Sequence, residues 1–301
     1  MEHNVYYACG AEEALGDLAR RGERAQLCYL DPPFWTGRDF GAYDDRFSSP
    51  NEYYDSMARI LQGVKGAMDE NGSVFVHIDE RVHAHLRLMM DEIFGERAFR
   101  NEIIWAYRSG GRARTHFSRK HDTILYYALS DKAFFDPLGD PLPRKLARGN
   151  HMRRGTDADG REYSAILSAG KEYRYYDDEG VAPSDVWDDI PHLQQRDPER
   201  TGYPTQMPEK LLRRVILCAS RPGDAVLDVF SGSGTTLAAC EAYGQPSYIM
   251  ELTPAFTDVI VKRYIRITGK TTVRCVRQGR ELPREEIAAI FEPDEEGGEQ
   301  E

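Results

Sequence analysis

A chain of 301 residues with 41% hydrophobic and 30% charged residues can bury a full core, which excludes a disordered or fibrous protein. Its five cysteines are scattered without a Cys-x-x-Cys pair, which argues against disulfides and structural zinc. No basic leader and no run of 18 apolar residues indicates export or a membrane, so we expect a cytoplasmic protein.

The net charge of −11 is unevenly distributed along the chain. Residues 285–301 contain eight acids and no base, which leaves a net charge of −3 for the rest. We expect an acidic, disordered tail at 281–301. Phosphate binding needs a local basic face rather than a basic total, so the charge does not exclude a nucleic-acid partner.

A predicted strand at 4–9 and a short helix at 11–20 precede a buried strand at 25–30, which ends abruptly at Asp31-Pro32-Pro33-Phe34. The two prolines lack N–H donors and end the strand, which leaves carbonyl oxygens unpaired beside a carboxylate and an aromatic ring. Such acceptors suit a planar ligand with an amino group, such as a nucleobase. From these four residues alone, a plain turn fits equally well.

The next segments continue an α/β alternation. Residues 35–50 form either a loop that closes over a bound base or an ordinary surface loop. A helical period predicts a helix at 51–69, and a buried strand at 73–79 ends in Asp79. Asp79 either borders the base pocket or caps the following helix. Nearby histidines fall on different faces of these elements, so we predict no metal site.

Two strands at 99–107 and 123–129 flank a connector, residues 108–120, with five basic residues and no acid. This composition suits a segment that grips phosphates, or a solvated hairpin loop. Residues 131–200 break the α/β alternation and carry a second acid-free basic run, 144–154, followed by several tyrosines. A basic, tyrosine-rich insert can contact phosphates and base edges.

The last third of the chain contains a strand, a glycine turn and a helix in the stretch 225–242. The turn brings backbone close to a ligand at a helix N-terminus, although neither the dinucleotide fingerprint nor the P-loop pattern matches. The next strand, 247–251, ends in Glu251, where a doubly wound fold binds a ribose diol. Helices at 208–219 and 254–267 and an edge strand at 271–276 complete the prediction.

Together, Asp31-Pro32-Pro33-Phe34 and the stretch Asp228-Val229-Phe230-Ser231-Gly232-Ser233-Gly234-Thr235-Thr236 resemble the amino-methyltransferases of DNA. These enzymes move a methyl group from S-adenosylmethionine to an exocyclic nitrogen of a base. The catalytic motif precedes the cofactor motif here, as in the permuted class beta. Further matching stretches lie at 101–105, 121–127, 185–187 and 202–212.

The resemblance implies an α/β fold with a Rossmann-like, doubly wound, mostly parallel sheet, permuted and with an inserted target-recognition region. It divides the chain into a catalytic half at 1–130, the insert at 131–200, a cofactor-binding half at 201–280 and the acidic tail at 281–301. The implied catalytic residues are Asp31, Pro32, Pro33 and Phe34. The implied cofactor-binding residues are Thr205, Gln206, Asp228, Phe230, Ser231, Gly232, Ser233, Gly234, Thr235, Thr236 and Glu251.

The implied activity is site-specific transfer to the N6 atom of a flipped adenine in duplex DNA, since Asp at position 31 is typical of the adenine enzymes. A cytosine-N4 enzyme and a catalytically inactive DNA-binding relative remain alternatives. The expected partner is double-stranded DNA, bound by segments 108–120 and 144–154. A homodimer and a partner restriction endonuclease on another chain stay open.

Overall fold

The computed structural model describes residues 4–41, 44–107, 112–143, 152–270 and 273–291. Within these ranges a ten-stranded sheet carries the fold, and residues 153–176 form a separate three-stranded antiparallel sheet. In spatial order the strands of the large sheet are β13 (Arg280–Glu281), β12 (Arg274–Arg277), β1 (Asn4–Ala8), β11 (Ser247–Met250), β10 (Val226–Asp228), β2 (Ala25–Leu30), β3 (Met68–Ile78), β5 (His121–Ala128), β4 (Phe99–Ala106) and β9 (Val186–Trp187). The small sheet contains β6 (Arg153–Thr156), β7 (Glu162–Ser168) and β8 (Lys171–Tyr176).

Helices cover both faces of the large sheet. They are α1 (Ala11–Arg21), α2 (Pro50–Ala67), α3 (His83–Phe94), α4 (Glu209–Ala219), α5 (Thr235–Tyr243), α6 (Pro254–Thr268) and α7 (Arg284–Phe291). The alternation of side chains along β2 shows the two layers, because Cys28 and Leu30 pack with α1, α2 and α3, whereas Leu27 and Tyr29 pack with α4 and α5. The predicted doubly wound α/β fold is confirmed.

The strands from β12 to β3 run parallel, and the sheet changes direction beyond β3. β5 lies antiparallel to β3, with Ile78 opposite Thr123, and β4 lies antiparallel to β5, with Ala106 opposite His121. The connector between β4 and β5 therefore leaves the sheet at the same edge as the carboxyl end of β2. None of the described helices is long and apolar enough to span a bilayer.

Both ends of the insert predicted at 131–200 contact helix α4. Trp187 lies in β9 of the large sheet and packs with α4, and Asp140 is buried against the same helix. Arg214 of α4 joins both segments, because its guanidinium is 3.0 Å from Asp140 Oδ2 and 2.7 Å from Asp189 Oδ2. Arg214 therefore ties both ends of the predicted insert to α4, and residues 144–151 lie outside the described ranges.

The prediction of disorder at 281–301 is wrong for its first part. Residues 284–291 form α7, because Ile287 and Leu282 are apolar and pack against α6. An ion pair between Arg280 and Glu286 (2.7 Å) joins the helix to the preceding strand. Residues 292–301, which carry most of the acids of the tail, lie outside the described residues.

Substitution of Arg214 tests how firmly the ends of the insert are tied to the core. Arg214 is 1% exposed and Arg213 is 46% exposed, although both contact Asp140. Arg214→Leu should lower the free energy of unfolding by about 3–5 kcal/mol, because it removes the buried charge partner of Asp140 and Asp189. Those carboxylates would keep only their ion pairs with the partly exposed Arg213 and Lys210 among the described residues. Arg213→Leu should cost less than about 1 kcal/mol. Urea unfolding of both variants measures the difference, and equal losses would contradict the assignment.

Candidate active site

Two strand ends define the site. β2 and β10 are neighbours in parallel register, with Tyr29 opposite Asp228, so Asp31 lies two residues beyond the partner of Asp228. A cavity of about 600 Å³ opens at this edge, and Asp31, Phe34, Asp228 and Gly232 all line it. The residues predicted for catalysis and, apart from Gly234, those predicted for cofactor binding thus line one cavity.

Asp31 lines the cavity without a partner among the described residues. Its carboxylate forms no hydrogen bond or ion pair with any of them, and its lone pairs are therefore available to a ligand. Burial raises the pKa of Asp31 from 3.8 to about 7, His77 opposes this shift, and the carboxylates of Asp228 and Asp122 add to it. At neutral pH the group can therefore exist in either protonation state.

The backbone after Asp31 also offers an acceptor. The carbonyl of Pro33 accepts a hydrogen bond from the Tyr53 hydroxyl (2.9 Å), whereas the Pro32 carbonyl accepts none from the described residues. Pro32 also lines the cavity. A carboxylate and a carbonyl of adjacent residues thus lie unpaired at the edge of one cavity, which is the arrangement that an amino group with two hydrogens requires.

A buried carboxylate fixes the turn that follows Phe34. Trp35 has a left-handed φ of 52°, which is unusual for a residue with a side chain. Asp45 is fully buried and accepts hydrogen bonds from the backbone N–H groups of Trp35 (2.9 Å) and Thr36 (2.7 Å) and from the Thr36 hydroxyl. Trp35 itself stacks on Tyr53 at 5.9 Å, so its ring supports the turn.

Beneath Phe34 lies a polar cluster that the sequence analysis did not find. His77 is fully buried in β3; its Nδ1 is 2.8 Å from the Tyr29 hydroxyl, and its Nε2 is 3.4 Å from Asp122 Oδ2. The Phe34 and His77 rings are 5.8 Å apart. Burial disfavours the charged imidazole, but the carboxylates of Asp122, Asp31 and Asp79 outweigh it, so the pKa of His77 is raised.

One feature of the sequence indicates that a polar cluster lies here. A histidine in the middle of a buried strand needs a polar partner, but nothing in the sequence says which one, since Asp122 is on the antiparallel neighbour. The strand-end carboxylate Asp79 accepts the backbone N–H of Arg81 (2.9 Å) at the start of the next turn. Neither interpretation of Asp79 matches the structure. Asp79 does not line the cavity, and α3 begins at His83 with Val82 as its N-cap and no side-chain cap.

The glycine turn adopts a conformation that side chains resist. Gly232 has φ 51°, and a Cβ there would lie 2.9 Å from the Tyr203 ring. Gly234 has φ 75° at the N-cap of α5, where a Cβ would lie 3.1 Å from Ile260, and it does not line the cavity. The two glycines therefore differ, since Gly232 borders the ligand space while Gly234 permits the turn and its packing.

Hydrogen bonds within the turn hold it in place before any ligand binds. Asp228 accepts the Phe230 N–H (3.0 Å) and the Thr236 hydroxyl, and burial raises its pKa to about 6. The Thr235 hydroxyl lies 3.2 Å from the hydroxyl of Ser233. The remaining predicted turn residue, Ser231, donates to the Asp228 carbonyl (3.1 Å).

Glu251 is part of the same framework. Its two carboxylate oxygens accept the N–H groups of Gly232 (2.9 Å) and Thr253 (2.7 Å), and burial raises its pKa. Thr205 and Gln206 also line the cavity. The Gln206 amide, however, binds Thr201 and the Glu199 carbonyl, so its side chain holds the wall of the cavity.

The ionisable side chains that line the cavity are of one sign. Every charged residue among them is acidic, and no lysine, arginine or histidine lies among the described lining residues. The acids are Glu12, Asp31, Asp44, Asp45, Asp228 and Glu251. Such a lining repels phosphate groups and attracts a cation, which disfavours a nucleotide or dinucleotide cofactor.

The two predicted DNA-binding segments differ in the structure. In the connector, residues 112–120 are described and expose Arg112 and Arg114, whereas 108–111 lie outside the described ranges. In the segment 144–154, only 152–154 are described, and Arg154 is ion-paired with Asp177 (2.6 Å) and Glu162 (3.0 Å). The basic character expected around Arg154 is therefore neutralised by acids of the small sheet.

Comparison with known proteins identifies the family. A family model described as DNA methylase matches residues 25–262, which includes both strand ends of the cavity. The chain belongs to this family. It is 28% identical over 280 residues to the type II methyltransferase M.EcaI of Enterobacter cloacae, an alignment that covers 75% of this chain and only 61% of that longer relative.

A second relative is covered more fully. The chain is 25% identical over 253 residues to the DNA adenine methyltransferase YhdJ of Escherichia coli K12, with 83% of this chain and 80% of that protein covered. Among solved structures it shares the fold of TTHA0409 of Thermus thermophilus, which was determined in complex with S-adenosyl-L-methionine. The TM-score is 0.57 at 18% identity, with 92% of this chain and 99% of that chain covered.

The raised pKa of Asp31 predicts a pH-dependent cost to folding. Because the folded-state pKa lies above the unfolded value, the destabilisation is absent near pH 4 and complete above pH 7. Asp31→Asn should therefore raise the free energy of unfolding by roughly 1–3 kcal/mol at pH 8, with the gain vanishing towards pH 4. Urea unfolding across this range measures it. The exposed Asp131→Asn serves as control, and an Asp31→Asn variant no more stable than wild type at pH 8 would contradict the assignment.

Proposed function

We propose that this protein transfers a methyl group from S-adenosylmethionine to the N6 atom of a flipped adenine at a specific site in duplex DNA. The observation that carries the proposal is that the unpaired Asp31 carboxylate and the Gly232 turn line the same acidic cavity. Methyl transfer needs donor and acceptor in one space from which water is excluded.

The residues present fit this cofactor. S-adenosylmethionine carries a sulfonium, and the cavity lining contains carboxylates without basic side chains among the described residues. The Gly232 turn allows backbone to approach the ligand, Glu251 supports that turn, and its remaining lone pairs can accept a ribose hydroxyl. Bound there, the cofactor supplies an electrophilic methyl group. Thr205, at the cavity wall beside Gln206, is the proposed contact at the methionine end.

Residues at the end of β2 would hold the base. Phe34 offers a ring face within the cavity, and the Asp31 carboxylate and the Pro32 carbonyl can each accept one hydrogen of an exocyclic amino group. These hydrogen bonds draw the nitrogen lone pair out of conjugation with the ring, so catalysis rests on positioning and electrostatics. After transfer the nitrogen must lose a proton, and Asp31, with a pKa of about 7, can accept it.

Adenine is the preferred base because the relative YhdJ is named an adenine methyltransferase. The hydrogen bonds to an amino group do not separate adenine from cytosine, so cytosine-N4 methylation is the alternative that product analysis distinguishes. The proposed macromolecular partner is double-stranded DNA, bound through the exposed arginines of 112–120. Relatives named type II methyltransferases support pairing with a restriction endonuclease on another chain, and a homodimer is proposed only as an arrangement to test by sedimentation.

Loss of the Asp31 carboxylate should separate binding from catalysis. Asp31→Asn should reduce methyl transfer about 100- to 1000-fold, because the neutral amide accepts a weaker hydrogen bond than the carboxylate and cannot take up the proton that the amino group loses. Calorimetric binding of S-adenosylmethionine should be largely retained, since the glycine turn is untouched. Methylation-sensitive sequencing of DNA from cells that express wild type, Asp31→Asn or Asp131→Asn identifies base, atom and sequence context together. Methylation by Asp31→Asn at the wild-type level would refute the proposal.

The pH dependence of the reaction follows from the same carboxylate. Only ionised Asp31 can take up the proton that the amino group loses, and it accepts a stronger hydrogen bond from that group than the neutral acid does. The value of kcat/KM should therefore rise about tenfold per pH unit below 7 and level off above it. Single-site methylation assays between about pH 5.5 and 9 measure the profile on both sides of this pKa. A rate that is flat across this range, with folding intact by circular dichroism, would show that Asp31 is not the group that titrates.

A further inference from the structure

The connector between β4 and β5 presents one aromatic side chain fully to solvent. Phe117 is 98% exposed, more than any other large apolar side chain among the described residues. A single exposed apolar side chain is not unusual by itself, so its meaning depends on the shape and charge of the loop that carries it. Its neighbours in sequence are polar or basic, which argues against an apolar protein partner.

The loop that carries Phe117 is held in shape from both sides. The backbone N–H of Ala113 donates to the Ser118 hydroxyl (3.1 Å), which closes the turn around the exposed ring. Arg119 is anchored by an ion pair with Glu80 (2.7 Å), directly after Asp79 at the end of β3. Phe117 therefore projects from a closed turn and does not hang from a free end.

The register of the sheet places this connector at the same edge of the sheet as the cavity. Ala106 and His121, the ends of the connector, lie opposite each other, and Thr123 lies opposite Ile78 at the carboxyl end of β3. β3 runs parallel to β2, so the connector leaves the sheet at the edge where Asp31 lies. Asp122, just after the connector, is 3.4 Å from His77 beneath Phe34.

The charge of the residues around Phe117 indicates which class of ligand this loop binds. Residues 112–120 contain no acid, and Arg112 and Arg114 are exposed without an ion pair to any described residue. Exposed arginines beside an exposed aromatic ring suit a nucleic acid, since the arginines can bind phosphates while the ring stacks on bases. Apolar wedges inserted between base steps are a known means of unstacking a duplex.

We propose that Phe117 is a wedge that enters the duplex and occupies the space left when the target base moves into the cavity. This inference rests on the proposed function. Phe117 would then be a positioning residue, since it stabilises the extruded state of the base without contact to the reacting atoms.

The test uses two duplexes built on the site that methylation sequencing identifies, one fully paired and one with the target adenine mispaired. Phe117→Ala should lower single-turnover kcat/KM by about tenfold or more on the paired duplex, since base–aromatic stacking is lost. On the mispaired duplex the loss should be much smaller, because unpairing is already complete. A matched control is Ile267→Ala, which removes a half-exposed apolar side chain from the end of α6. This helix packs near β1 and β12, far along the strand order from β4 and β5.

A second readout does not depend on methyl transfer. With 2-aminopurine in place of the target adenine, wild type and Phe117→Trp should raise the fluorescence of the duplex, and Phe117→Ala should not. Equal kinetics of Phe117→Ala and wild type on both duplexes, or an equal loss on both, would overturn the wedge while leaving the methyl-transfer activity in place. Loss of self-association by Phe117→Ala with unchanged fluorescence would also overturn it, because the ring would then contact another copy. Absence of methyl transfer by wild type would instead refute the proposed function.

Discussion

The parallel register between β2 and β10 is the constraint on which the site depends. It sets Tyr29 opposite Asp228, so the double-proline turn and the glycine turn leave the sheet side by side. In open α/β sheets a crevice forms where neighbouring connections diverge to opposite faces, and here α2 follows β2 on one face while α5 follows β10 on the other. The cavity is therefore a consequence of topology, and its chemistry is decided by the few residues that end each strand.

The residues around this cavity carry a conflict between folding and function. Most of the buried acids are satisfied internally, since Asp45 and Glu251 accept backbone N–H groups and thereby fix the two turns. Asp31 has no such partner among the described residues, and burial raises its pKa although His77 opposes the shift. An unpaired buried carboxylate destabilises the folded protein when no ligand is bound. A ligand that donates hydrogen bonds to Asp31 removes this cost, and the free energy recovered favours binding.

Sequence patterns predicted the parts of the site that are local in the chain. The end of a buried strand at Asp31 can be recognised because prolines cannot continue a strand. The glycine turn can be recognised because a strand, the glycines and a helix follow one another directly in the sequence. The contacts of His77 with Asp122 and of Asp45 with Trp35 could not be predicted, because they depend on strand pairing and loop closure. The same reason explains the ion pair of Arg154 with Asp177, which lies 23 residues further along the chain. It also explains α7, whose apolar residues are buried by packing on α6.

The most direct test of the account is a crystal structure of this chain with S-adenosylmethionine bound. The account predicts that the cofactor lies over the Gly232 turn, that Glu251 is near its ribose, and that its methyl group faces Asp31 across a gap large enough for one base. A cofactor bound elsewhere on the protein would contradict it. So would a methyl group directed away from Asp31, because the two strand ends would then share a cavity without sharing a reaction.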